Sequence, residues 1–374
     1  MVCTGNKLKT DNTGRIRTLQ ASRFLFVFLI YLSHSVGVLA GSPFDFGGES
    51  GVAFFFVLSG FVLSYGYGPR VSRGQFRLAP FFWRHFWHMY PLHILLFVVA
   101  VALDARIGHT YDMVQIVSSV LLVQTWIPSA HTLFVGNGVS WFLCDILFCY
   151  LVFASLYRWL MRVPVRGLLC GFGAFALVYG VAAYNVPRDM VNCTLYVSPL
   201  LRCVDFALGI MAYRYYKLMP AVPSGAGAAG RWPLALFPLA DIALLVVSYA
   251  AYQLLPAGLR CAMLFWPVMP VLVVRLASAD GSGHWLVKLL YTRAMMWLGS
   301  LSFEIFMVHL LVIRVAQHML LADGGMGHAA VCLVCGMGAT VAVAWGVQKA
   351  YVNPLSKVIT QINNKKWIKD NVRS

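Results

Sequence analysis

The sequence predicts an all-α, polytopic integral membrane protein, a bundle of about ten transmembrane helices with one further re-entrant or interfacial segment. The first observation is composition: of 374 residues, 60% are hydrophobic and only 11% are charged, which excludes an ordinary soluble protein. The second is the recurrence of apolar stretches along the chain. The third is the clustering of Lys and Arg in alternate loops, which assigns the net charge of +16 to membrane topology instead of nucleic-acid binding.

Eleven apolar stretches are candidate transmembrane segments. They cover residues 21–41, 51–68, 86–103, 113–128, 139–161, 167–185, 197–217, 234–255, 259–279, 295–320 and 329–350. If all of them crossed, Arg158, Arg162 and Arg166 would fall outside the cell, against the preference of basic residues for cytoplasmic loops. The stretch 113–128 is short and contains Gln and Ser, so we predict that it enters the outer side without crossing.

The remaining ten spans place both termini in the cytoplasm. Residues 1–20 form a polar, basic N-terminal tail, which we do not read as a cleavable signal peptide, and 351–374 form a basic C-terminal tail. The Gly/Pro/Ala-rich stretch 220–233 is predicted to be a cytoplasmic loop, so 1–374 form a single domain. The nine cysteines are scattered, and we expect no metal site.

The first apolar stretch carries two ionisable residues, Arg23 and His34, eleven positions apart. In an α-helix they point within about 20° of each other and lie about 16 Å apart along the axis. An arginine at the cytoplasmic interface suits a phosphate-bearing ligand, and a histidine deep in the membrane suits proton transfer. The separation matches the reach of an extended pantetheine arm. Alternatively, Arg23 anchors the helix at the interface and His34 is hydrogen-bonded between helices.

Four further motifs follow in the sequence. They read Ser59-Gly60-Phe61, Arg84-His85-x2-His88-x2-Pro91, Arg202-x2-Asp205-Phe206-x2-Gly209 and Ser302-Phe303-Glu304-x4-His309. Together with Arg23-x10-His34, and in this order over residues 15–315, they resemble the membrane acyltransferase family 3, the polysaccharide and lipopolysaccharide O-acyltransferases. Two positions depart from the family pattern. His85 and His88 stand where the family has an arginine pair, and Trp141 is followed at four positions by Asp145 instead of at five by a glutamate.

The resemblance implies an acyl-CoA-dependent O-acyltransferase of the bacterial inner membrane. It would transfer an acyl group, in the first place acetyl from acetyl-CoA, to a hydroxyl of a cell-surface glycan or lipid-linked saccharide, without a metal. The expected partners are therefore acyl-CoA, a saccharide acceptor and the lipid bilayer, with no nucleic acid. Whether the acyl group passes through a covalent acyl-histidine or acyl-serine is left open.

The resemblance also suggests roles for individual residues. The expected catalytic group is His34, Ser59 and His309; the expected phosphate-binding group is Arg23, Arg84, His85 and His88; the expected polar pair for substrate or structure is Arg202 and Asp205, together with Glu304. Each has a structural alternative. Ser59 and Gly60 allow close helix packing, Arg202 and Asp205 are i,i+3 neighbours suited to a buried pair, and His309 suits a polar helix contact.

A transporter or flippase of a lipid-linked sugar is the competing function. Its polar path would be lined by His34, Arg202, Asp205 and His309. The chain shows no internal repeat, which weakens this reading, because many transporters are built from repeats.

Overall fold

The computed structural model describes residues 15–35, 47–219, 238–319 and 326–358. These residues form fifteen α-helices, joined by short 3₁₀ and π turns, and contain no strand. The α-helices are α1 Arg17–Ser35, α2 Gly48–Ser72, α3 Leu78–Arg106, α4 Met113–Val120, α5 Ala130–Leu133, α6 Trp141–Arg162, α7 Val165–Asn185, α8 Pro199–Leu218, α9 Leu239–Leu254, α10 Ala257–Arg260, α11 Val268–Ser278, α12 Trp285–Leu290, α13 Arg293–Ser300, α14 Ser302–Met319 and α15 Met326–Val347. The predicted loop 220–233 and most of both predicted tails lie outside the described residues.

The all-helical class is confirmed, but the count of ten spans is not. Within the described ranges, five helices are long and apolar enough to cross a membrane, and up to seven if each of two bent pairs is a single span. The bent pairs are the turns of 188–196 with α8, at 56°, and α13 with α14, at 70°. The apolar stretches predicted near 234–255 and 259–279 contain helices of only 16 and 11 residues. Helix α1 carries several polar residues, which lower its mean hydropathy.

The segment 113–128, which we predict does not cross the membrane, contains only short helices. Helix α4 has eight residues, so it extends only about 12 Å, well short of a hydrocarbon core of about 30 Å. It begins with a capping box, because Asp112 accepts from the Gln115 N–H while the Gln115 side chain accepts from the Asp112 N–H, both at 2.9 Å. A 3₁₀ turn, the short α5 and a second 3₁₀ turn then lead into α6.

Two glycines bring α2 and α8 into backbone contact. A Cβ on Gly60 would lie 2.0 Å from the Phe206 carbonyl oxygen, and a Cβ on Gly209 would lie 2.0 Å from the Val57 carbonyl oxygen. Small residues at such positions let membrane helices approach closely and gain van der Waals contact. The packing role given as the alternative for Gly60 is therefore observed, and Gly209 plays the same part on α8.

Helix α1 lies inside the bundle, against α2, α13 and α14. It runs antiparallel to α2, with the Phe26 and Phe54 rings stacked at a centroid distance of 3.7 Å. At its start, the Thr18 hydroxyl donates to the Leu276 carbonyl at 2.7 Å and the Thr18 N–H donates to Asp280 at 2.9 Å. These contacts fix the position of α1 in the bundle, and with it the depths of Arg23 and His34.

Candidate active site

A cavity of about 790 Å³ opens at the end of the bundle where α1 ends and α2 begins. We call this the cavity end. Segments from at least six helices and the irregular stretch 104–141 line it, and its walls combine aromatic rings with charged side chains. A cleft of this size and mixed lining is typical of a small-molecule site.

His34 and His309 meet at the wall of this cavity. The His34 Nδ1 lies 2.9 Å from the His309 Nε2, and the ring centroids are 5.0 Å apart. His34 is exposed to the cavity, whereas His309 is fully buried behind it. The structure thus brings together two of the three residues expected to be catalytic.

The hydrogen-bond partners fix the tautomers of the neutral histidine pair. His309 Nδ1 lies 2.7 Å from the Phe306 carbonyl oxygen, which can only accept, so the His309 proton is on Nδ1. The His309 Nε2 is then an acceptor, and His34 must donate from its Nδ1. This leaves Nε2 as the basic nitrogen of His34. A histidine oriented in this way by a second polar group is the usual arrangement of a general base.

On the opposite side, the cavity wall contains Glu49, Tyr252 and Arg260. The Tyr252 hydroxyl donates to the Glu49 carboxylate at 2.9 Å. The Arg260 guanidinium stacks on the Tyr252 ring, 4.6 Å from its centroid. Sequence reasoning missed all three residues, because none of them belongs to a recognisable motif.

A second polar group joins α3 and α14 at the cavity. Arg314 forms an ion pair with the buried carboxylate of Asp104 and donates to the Gly136 carbonyl at 3.2 Å. The Tyr111 hydroxyl donates to the same carboxylate at 2.5 Å. The buried Asn137 donates to the Met307 carbonyl at 2.9 Å, two residues before His309. These contacts hold the part of α14 that carries His309. One signal in the sequence points to this polar group, which is the position of Arg314 five residues after His309.

Arg23 lies about 16 Å along α1 from His34, on the side of the histidine pair away from the cavity. It is partly buried and lies within electrostatic range of Tyr150 and Glu304, and it forms no ion pair with a described residue. Glu304 accepts from Gln348 at 3.3 Å, while its second carboxylate oxygen is buried without a hydrogen-bond partner. We call Arg23, Ser59, Tyr150 and Glu304 the arginine cluster.

Ser59 belongs to the arginine cluster and not to the histidine pair. Its hydroxyl lies near the Tyr150 phenol. Gly48 lies beside Ser33, and α1 and α2 are antiparallel. Ser59 is eleven residues after Gly48. It therefore lies beside Arg23, about 16 Å along the helix axis from the histidine pair. Ser59 and His34 are therefore too far apart to contact the same carbonyl group of a substrate.

The other predicted phosphate-binding residues lie on the first turns of α3. His88 is within electrostatic range of Arg23 and stacks at 6.0 Å on Phe303. His85 packs at 5.0 Å against Tyr150, and its Nδ1 lies 2.8 Å from the Phe81 carbonyl oxygen. Arg84 is exposed. The group predicted to bind phosphate is thus gathered around the arginine cluster.

Arg202 and Asp205 are fully buried and pair at 2.7 Å within α8. Arg202 also donates to the Cys261 carbonyl at 3.2 Å and lies 5.3 Å from the Tyr196 ring centroid. Neither lines the cavity, since Tyr196 forms that part of its wall. Asp145 is also fully buried, and neither of its carboxylate oxygens has a hydrogen-bond partner.

Comparison with known proteins agrees with this geometry. A family model described as an acyltransferase domain matches residues 16–348. The chain belongs to this acyltransferase family. The acyltransferase MdmB of Streptomyces mycarofaciens is 28% identical over 340 residues, covering 83% of this chain and 82% of that protein. No solved structure matches the chain.

Family membership confirms the resemblance and supports acyl transfer over a transporter. With its apolar helices, the chain is a multi-pass membrane protein. Within the part of the chain that the structure describes, no three His, Cys, Asp or Glu side chains are grouped as metal ligands.

Proposed function

We propose that this acyltransferase takes its acyl group, in the first place acetyl, from acyl-CoA and delivers it to a hydroxyl of a saccharide, either a cell-surface glycan or a lipid-linked sugar. The observation that carries this proposal is the arrangement of α1. A histidine hydrogen-bonded to a second histidine stands at the cavity wall. An arginine that forms no ion pair with any residue the structure describes lies eleven residues earlier on the same helix.

The donor site is assigned to the arginine cluster and the first turns of α3. Arg23, His88 and the exposed Arg84 offer cationic or hydrogen-bonding groups to the phosphates of the nucleotide. The separation along α1 of about 16 Å lets the pantetheine arm carry the thioester to His34. In this arrangement the Arg23 end and both chain termini are cytoplasmic, and the cavity opens on the outer side of the bacterial inner membrane.

His34 acts as the general base. Its Nε2 removes the proton from the acceptor hydroxyl as the hydroxyl oxygen attacks the thioester carbonyl carbon. The C–S bond then breaks, the acyl group stays on the acceptor oxygen, and the thiolate of CoA takes the proton from His34. His309 is a positioning residue in this scheme, because it accepts the Nδ1–H of His34 and keeps Nε2 towards the reaction. Ser59 takes no part in this step, since it lies level with Arg23.

The test is release of CoA and transfer of radiolabelled acetyl by purified protein in lipid nanodiscs. The donor is acetyl-CoA, and the acceptor is an extract of glycans and lipid-linked sugars. We expect His34→Ala to lower the transfer rate by about a thousandfold, while His131→Ala, a solvent-exposed histidine outside the cavity, keeps the wild-type rate. Monodisperse elution of His34→Ala from a sizing column checks that it is folded.

Two results would contradict the proposal. If folded His34→Ala transfers acetyl at the wild-type rate, His34 is not the base. If the wild-type protein binds the saccharide extract but releases no CoA from acetyl-CoA with any fraction of it, the donor assignment fails.

A further inference from the structure

A second concave surface lies beside the cavity, on the outside of the bundle. It is an apolar groove of about 580 Å³ between α7 and the chain from Leu255 to Pro267. Its lining includes Leu177, Gly180, Val181, Leu259 and Met263, and nearly all of its surface is apolar. We call it the α7–α10 groove.

The groove and the cavity share helix α10. A Cβ on Gly258 would lie 2.0 Å from the Ala183 carbonyl oxygen, so α10 packs in backbone contact against the end of α7. Leu259 lines the groove and the next residue, Arg260, lines the cavity. The groove runs along α7 from Asn185 to Ala176, a length of about 14 Å. It starts at the cavity end and continues along the apolar outer surface of the helix.

Arg260 stands where the two surfaces meet. Its guanidinium is held over the Tyr252 ring, and Arg260 forms no ion pair with a described residue. The other arginine lining the cavity, Arg314, is paired with Asp104. An arginine held by stacking keeps its five N–H donors available for a planar or tetrahedral anion, above all a phosphate.

We propose that the acceptor is an anionic amphiphile, a sugar linked through phosphate to a hydrocarbon chain. The chain lies in the α7–α10 groove and the phosphate binds Arg260. The sugar lies in the cavity against Tyr252, Tyr196 and Trp141, with one hydroxyl turned towards His34. This inference rests on the proposed function, because it assigns the acceptor of the same reaction.

The positive charge of Arg260 and the continuity of the groove with the cavity distinguish this occupant from ordinary bilayer lipid. A groove that only accommodated surrounding lipid would need no cation at its end and no adjoining polar cavity. Here an apolar surface, a cation that has no ion pair within the described part of the chain, and an aromatic cavity follow one another across the four-residue helix α10. An amphiphile whose hydrocarbon, phosphate and sugar come in that order matches all three.

The experiment uses a photoreactive probe and requires no acyl transfer. Pentadecyl phosphate with a diazirine on its last carbon is added to the full-length protein in nanodiscs, irradiated, and the labelled peptides are identified by mass spectrometry. Pentadecanol with the same diazirine reports labelling without the phosphate. Because no donor is present, failure of acetyl transfer and failure of probe binding are separate results.

Two variants are paired with matched controls. Arg260→Gln removes the cation, and Arg188→Gln removes an exposed arginine outside the cavity. Val181→Trp fills the groove, and Val178→Trp adds the same bulk to an exposed position of α7 outside it. All four positions lie away from His34 and His309, so the fold and the histidine pair stay intact.

We expect the phosphate probe to label peptides of 176–185 and 255–267 and to do so more strongly than the alcohol. Arg260→Gln and Val181→Trp should each reduce labelling by about tenfold, and the two controls should leave it unchanged. Equal labelling by phosphate and alcohol would identify the occupant as ordinary lipid and overturn the proposal. Labelling that is insensitive to Arg260→Gln or to Val181→Trp would overturn it as well.

Discussion

The two ends of α1 meet different surroundings, although the helix is continuous between them. At one end, His34 is exposed to a cavity of about 790 Å³ and is hydrogen-bonded to a second histidine. At the other, Arg23 is partly buried among Tyr150, Ser59 and Glu304 and has no ion pair with a described residue. His34 and Arg23 are thus kept apart by a helix of fixed length, and in the proposed function one extended donor engages both.

Two arginines inside the bundle sharpen this contrast. Arg202 is fully buried, pairs with Asp205 and donates to the Cys261 carbonyl, while its Nε has no hydrogen-bond partner among the described residues. Arg23 lies near Tyr150 and Glu304 and forms no ion pair with a described residue. Removing one member of a buried ion pair leaves an uncompensated charge, and an ionisable residue held inside the bundle without an ion pair is suited to bind a ligand.

The largest expected effect is on stability, at the paired arginine. Arg202→Met leaves Asp205 buried without a cation and should lower the free energy of unfolding by about 3–5 kcal/mol. The double variant Arg202→Met/Asp205→Leu should recover most of the loss and retain transfer activity, because a purely structural pair is replaceable by apolar side chains. Thermal unfolding in detergent measures both. Recovered stability without activity would instead give the pair a substrate role.

The next effect is at the histidine end. His309→Ala removes the acceptor of the His34 Nδ1–H, and we expect kcat to fall by about a hundredfold. His309→Gln offers an amide oxygen to the same proton and should lose less. The pH dependence of kcat is the deciding measurement, because loss of the partner changes the titration of His34. An unchanged pH profile in both variants would make His309 only a packing residue.

The scaffold between the two ends is tested at α2. Gly60→Ala places a methyl group against the Phe206 carbonyl and should lower the free energy of unfolding by about 1–3 kcal/mol. Gly66→Ala is the matched control on the same helix, because a Cβ there has no neighbour within 4 Å. It should be neutral or slightly stabilising. Equal melting temperatures for the two variants would contradict the close contact of α2 and α8.

A smaller effect is expected at the arginine end. Arg23→Ala should raise the KM for acetyl-CoA by about tenfold with little change in kcat, because one contact to the nucleotide phosphates is lost. Acetyl-pantetheine, which lacks the nucleotide, should be used equally well by the variant and the wild type. Arg73→Ala removes an exposed arginine near the same end of the bundle and serves as the control. A loss of kcat with both donors would move Arg23 from donor binding to the chemistry.

The smallest effect concerns the capping box of α4, outside the spanning helices. The Gln115 N–H and the His131 side chain hold the pKa of Asp112 below its usual range. The ionised carboxylate therefore stabilises the fold above the usual aspartate pKa of about 4, and this contribution is lost as the pH falls through the lower folded-state pKa. Asp112→Asn should lower the melting temperature at neutral pH and not in acid. Asp189→Asn, at an exposed aspartate, should do neither.

The sequence predicted the fold class and the positions of the helices better than the number of spans. Apolar length alone cannot show that 259–279 is divided into a short helix, a 3₁₀ turn and α11, because apolar residues fit all three. The charges that follow 113–128 predict that it does not cross, and the structure shows only short helices there. The close contact of α2 and α8 was predictable too, since Gly60 and Gly209 are small residues within spanning helices.

The candidate site was only partly accessible to sequence reasoning. Periodicity placed Arg23 and His34 on one helix, but neither motif nor spacing shows that His309 meets His34, because 275 residues separate them in the chain. The family resemblance also grouped Ser59 with His34, whereas the antiparallel course of α2 places Ser59 near Arg23. Arg260 and Tyr252 reach the cavity from short, irregular segments whose path depends on tertiary packing.

The backbone contact between α2 and α8 bears on how an acyl group would cross the membrane. Because no side chain separates the two backbones at Gly60 and Gly209, sliding of one helix along the other would bring neighbouring Cβ atoms against carbonyl groups. Alternating access requires one half of a protein to tilt against the other. The proposed mechanism needs no such tilt, because the flexible arm of the donor carries the acyl group along α1.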